Sequence, residues 1–110
     1  MAGISLSQLA LELDTGIRTS LSSFDIDSLP LHERELITLI KRQASDARLD
    51  VRDYEYAQTR TEQLQGLPES SERFGQLEKN IVKASEYNLF GAVDVVQLST
   101  KIQQILARMN

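Results

Sequence analysis

The chain has 110 residues, 41% hydrophobic and 25% charged, with a net charge of −4. That length fits one domain, and the acidic balance disfavours nucleic acid and anionic membrane surfaces as partners. The absence of Cys excludes disulfides and thiolate metal sites.

Aromatic residues make up only 5% and Trp is missing, so the core must rest on Leu, Ile, Val and Ala, a mixture suited to closely packed helices. Ser5 or Ser7 caps a first expected helix, placed at about residues 5–23. Leu6, Leu9, Leu13, Ile17, Leu21 and Phe24 then follow at three- and four-residue steps, one apolar face of a helix. Gly16 interrupts this run and weakens it by roughly 1 kcal/mol relative to Ala. Phe24 to Leu29 reads as a connection. Asp25 and Asp27 in it are turn and capping residues.

A second helix is expected over about 31–65, with Ser28 as N-cap and Pro30 in the first turn, where its missing N–H costs nothing. Glu33 and Glu35 complement the positive end of its dipole. Ile37, Ile40, Ala44, Ala47, Val51 and Tyr54 hold a heptad seam, and the two alanines allow a partner helix to come close. Past Tyr54 the seam turns polar, and a phase shift through Ala57 and Leu64 continues it. Gly66 and Pro68 break the chain. Ser70 or Ser71 caps a third helix, about 71–89, whose seam is Phe74, Leu77, Ile81 and Ala84.

Asn88 or Gly91 ends that helix. Asp94 followed by Gln97 has capping-box spacing and starts a fourth helix over 94–109. The alternative is one helix running on to Met109 with a kink near Gly91. Val95, Leu98, Ile102, Ile105 and Met109 draw a seam along this last stretch, and they imply a docked C-terminal helix. The expected fold is therefore all-α: a three- or four-helix antiparallel bundle or an extended helical hairpin spanning 1–110. No stretch approaches the ~18 apolar residues of a membrane span. The N-terminus lacks a basic n-region, so the expected location is cytoplasmic, with export by a signal-peptide-independent apparatus left open.

Candidate chemistry is sparse. His32 is the only histidine. Leu31-His32-Glu33-Arg34-Glu35 has a faint look of a histidine-kinase H-box without the residues that follow the phosphorylated His there. The simpler reading is a solvated side chain in a helix's first turn. Asp46, Asp50 and Asp53 share one helix face, but Arg48 and Arg52 interleave with them, which suits a solvated face with local ion pairs better than a cation site. Tyr54 continues the seam and leaves the adjoining Tyr56 on another side of the helix. No Gly-rich phosphate loop and no nucleophile with an adjacent base is present. No enzymatic activity, cofactor or metal is expected.

The last ~40 residues carry a further signal. Leu77, Glu78, Ile81, Ser85, Tyr87, Asn88, Leu89, Val96, Leu98, Ile102, Ile105 and Leu106 form an apolar helical step, a Tyr-Asn-Leu element and a second heptad stretch. This pattern resembles the C-terminal segment of type III secretion inner-rod and needle subunits and the related flagellar rod-base proteins. The resemblance implies a helical, non-enzymatic subunit that polymerises through its terminal helices. It covers about a third of the chain, and the long charged second helix departs from it.

The sequence thus leads to a helical interaction or assembly protein. Two alternatives stand beside it: a cytosolic adaptor or export chaperone that binds a partner helix, and a phosphorelay-type bundle. The expected interaction residues are Tyr87, Leu89, Val95, Leu98, Ile102, Ile105 and Met109. The expected partner is a protein helix or a second copy of the chain, with no nucleic acid and no membrane span.

Overall fold

The three- and four-residue apolar steps do form helices. A computed structural model describes residues 5–59 and 68–109. In it α1 (Leu6–Leu21), α2 (Leu31–Thr59), α3 (Pro68–Glu86) and α4 (Ala92–Met109) are joined by loops, and a short 3-10 turn at Ile26–Ser28 precedes α2. The fold is all-α, with no strand among the described residues. Leu64 and Gly66, and with them the expected end of the second helix, lie outside those residues.

Local signals set most boundaries. Ser5 caps α1: its side chain accepts from the Gln8 amide at 3.1 Å. Ser28 does not cap α2, because its hydroxyl donates to the Asp25 carbonyl at 2.7 Å and its backbone belongs to the 3-10 turn. Pro30 precedes α2 instead, and its carbonyl accepts from Glu33 and Arg34. Ser70 and Ser71 lie inside α3. Pro68 opens that helix, where its fixed φ and lost donor suit the first turn.

The break between α3 and α4 is decided at Asn88, whose φ of 62° is left-handed. Leu89 N–H donates to the Ala84 carbonyl and Asn88 N–H to that of Ser85, the paired bonds of a Schellman cap. The buried Leu89 seals the turn. The two helices are therefore separate. Gly91, rather than Asp94, precedes α4, and its carbonyl accepts from the Val95 amide at 3.0 Å. Asp94 lies in the first turn of α4, where its charge complements the helix dipole.

Cross-helix bonds fix the directions. Ser7 meets Glu55 while Arg18 meets Ser45, so α1 and α2 run antiparallel. Arg73 meets Asp50 and Asn80 meets Gln43, so α2 and α3 do too. α1 also packs on α4 and α3 on α4, joined by Lys101 to Glu12 and by Gln103 to Glu78. The result is an up-down-up-down bundle. Its longest dimension is 48 Å, close to the ~43 Å that the 29 residues of α2 span at 1.5 Å each.

The core is the union of the four seams. Leu13, Ile17, Ile40, Val51, Phe74, Ile81, Ile102 and Ile105 are essentially inaccessible. Phe24, Val95 and Met109 are half-buried against them. Gly16 has a reason to interrupt its helix, since a Cβ there would stand 3.1 Å from Leu98 Cδ2. The helix-propensity cost at Gly16 thus lets α4 lie close to α1.

Ala44 and Ala47 are both buried, as the seam implied. Ala47→Leu is expected to cost about 1–3 kcal/mol by overfilling this space. Urea unfolding should show a lower midpoint with an unchanged slope, and an unmoved midpoint would contradict the packing described here.

Candidate functional site

The interaction residues expected from the sequence separate into three groups. Leu89, Leu98, Ile102 and Ile105 are buried within the chain itself. Val95 and Met109 are half-buried against the same core. Tyr87 alone is exposed, at 37% of its surface. Its ring meets that of His32 edge to face, with centroids 5.2 Å apart. The structure thus brings together two residues from the ends of α3 and α2 that sequence reasoning treated separately. Among the described residues, no hydrogen bond or ion pair holds the His32 imidazole.

What α4 presents outward is different. Val93 and Val96 are 68% and 65% exposed, and Val82 on α3 is 43% exposed. They sit off the seam, where an amphipathic helix ordinarily carries polar side chains. That misplacement was visible in the sequence as apolar residues out of phase with Val95, Leu98 and Ile102. The Gln103 to Glu78 bond sets the antiparallel register of α3 and α4, and this register brings Val82 and Val96 to the same end of the pair. Leu31, Leu49 and Tyr56 of α2 are exposed as well.

A polar cluster lies between α1 and α2. Asp14 is 5% exposed. Its carboxylate accepts from Arg18 Nε at 2.8 Å and from Arg48 Nη1 at 3.1 Å. Arg18 Nη2 reaches Ser45 Oγ at 2.9 Å. Both arginine side chains keep about half of their surface in water. Beside this cluster a groove of about 520 Å³ is lined by Ser7, Ala10, Ser45, Arg48, Leu49 and Arg52.

The acidic face of α2 is organised over longer range than its sequence implied. Arg48 is drawn to Asp14 of α1. Asp50, with its side chain 12% exposed, accepts from Arg73 of α3 at 2.6 Å. Its second oxygen is buried and has no hydrogen-bond partner among the described residues. Charged side chains that look like local pairs on α2 therefore tie it to α1 and to α3. Among the described residues no group of three or more His, Asp or Glu is placed to hold a metal ion. No helix among them is long and apolar enough to cross a membrane.

A scan against models of known protein families, a search of curated proteins and a search of solved structures each find no match to this chain. The reading of function therefore rests on the residues themselves.

Proposed function

We propose that this chain is a non-enzymatic helical interaction protein, acting by docking its outer faces against another protein or a second copy of itself. The observation that carries this reading is the pair of valines, Val93 and Val96, held in solvent on the outer face of α4. Each would gain on the order of 1–2 kcal/mol if covered. They place apolar side chains on the outer face of a helix whose inner face is already occupied, and Val82 is exposed towards the same end of the neighbouring α3, the arrangement expected of an association surface.

The bundle supports the adaptor form of this reading more directly than the secretion-rod form. An adaptor can use the bundle as it stands. A rod or needle subunit polymerising through its terminal helices would have to withdraw the buried Leu98, Ile102 and Ile105 from contact with α1 and α3, at a cost of several kcal/mol.

Light scattering coupled to size exclusion tests the proposal. The expected result is a mass above the 12.4 kDa of one chain, rising with concentration or with one stoichiometric protein partner, and reduced in Val93→Ser/Val96→Ser. Both side chains are exposed, so this variant should keep its helicity. A strict monomer that retains no stoichiometric partner would overturn the proposal, as would association unaffected by the double substitution.

A further inference from the structure

From the α1–α2 seam we infer a second docking surface, one that receives an acidic helical segment of a partner protein. It rests on the interaction reading above but uses a different face. Lys41, Ser45, Arg48 and Arg52 recur at steps of four, three and four along α2. They form a polar stripe beside the apolar seam that holds Ala44, Ala47 and Val51. Arg18 of α1 joins this stripe through its bond to Ser45. Four of the chain's 12 basic side chains thus gather along one edge of a molecule whose net charge is −4.

Two carboxylates share this edge with the four cations. Asp14 is buried beneath Arg18 and Arg48, and Glu55 accepts from the Ser7 amide and hydroxyl. Lys41 and Arg52 make no ion pair among the described residues, and Arg52 lines the groove between the helices. The stripe from Lys41 to Arg52 is ~16 Å long, three turns of helix. Leu49, 48% exposed, lies in the same groove. Cations flanking an exposed leucine in a straight groove match the acidic and apolar flanks of an amphipathic helix. An extended polyanion such as nucleic acid or a charged bilayer would also meet the surrounding negative field.

Fluorescence anisotropy with a labelled amphipathic peptide of leucine and glutamate tests this, alongside the same peptide with glutamine for glutamate, single-stranded DNA and phosphatidylserine vesicles. The expected result is binding of the glutamate peptide alone, weakening with salt. In Lys41→Glu/Arg52→Glu, which leaves Asp14 and its partners in place, binding falls about tenfold or more. In Lys79→Glu/Lys83→Glu, an equal charge change on exposed positions of α3, it falls far less. Circular dichroism establishes that both variants keep wild-type helicity. Equal losses in the two variants, equal binding of the glutamine peptide, tighter binding of DNA or vesicles, or no binding at all would overturn the inference. If it fails while the mass of the wild-type protein still depends on Val93 and Val96, the seam is wrong and the interaction reading stands. A partnerless monomer overturns the interaction reading itself.

Discussion

Phe74→Ala should lower the stability of the bundle by about 3–5 kcal/mol. Phe74 is completely buried, the largest of the inaccessible side chains among the described residues. It sits on α3, which packs on both α2 and α4. Truncation removes its apolar surface from the core and leaves a space that three helices cannot close without moving their own side chains. Domains of this size have ~5–15 kcal/mol of stability in all, so the loss is a large fraction of the total. The melting temperature should fall by on the order of 15 °C. Val93→Ala, on the exposed face of α4, should change stability by less than about 0.5 kcal/mol. A loss below about 1 kcal/mol for Phe74→Ala would mean that α3 does not sit where it is described.

The second large effect is expected at Asp14. Asp14→Ala removes the one carboxylate that holds Arg18 and Arg48 together, and should cost about 2 kcal/mol. Each bond to a charged group contributes about 1.5–3 kcal/mol net where it is buried. Here both arginine side chains are about half exposed, so they can turn to water and recover much of the loss. A double-mutant cycle with Arg48→Ala isolates the pair, and a coupling of about 1 kcal/mol is expected. Zero coupling would show that the close geometry contributes nothing to holding α1 against α2.

The seams were legible because burial repeats along a helix with a period that does not depend on the partner. Every residue of the α2 seam from Ile37 to Tyr54 is buried, as is every residue of the α3 seam from Phe74 to Ala84. The Asn88 break was legible as one of two candidates. Only the left-handed backbone at Asn88, with its paired cap bonds, chose between it and Gly91.

The start of α2 at residue 31 was legible, but its N-cap was misread: Ser28 bonds within its own 3-10 turn, a choice set by local bonding that its identity does not reveal. The candidate surfaces were harder still. Asp14 and Arg48 are 34 positions apart, and Tyr87 meets His32 from the facing end of the neighbouring helix, so neither pairing leaves a trace in local spacing. The expected C-terminal interaction seam was read correctly as an apolar face. Much of it packs within the chain: Leu98, Ile102 and Ile105 lie inside, while Val93 and Val96 are exposed on the outer face of the same helix.

The proposed role requires α4 to close the bundle and leave its outer face for partners. Native-state amide hydrogen exchange tests this most directly. The amides of Ile102 and Ile105 should be protected as strongly as those of Ile40 and Ile81, opening only when the whole bundle unfolds. Rapid exchange confined to α4, with α2 and α3 still protected, would show a C-terminal helix free to leave, and would contradict the closed bundle.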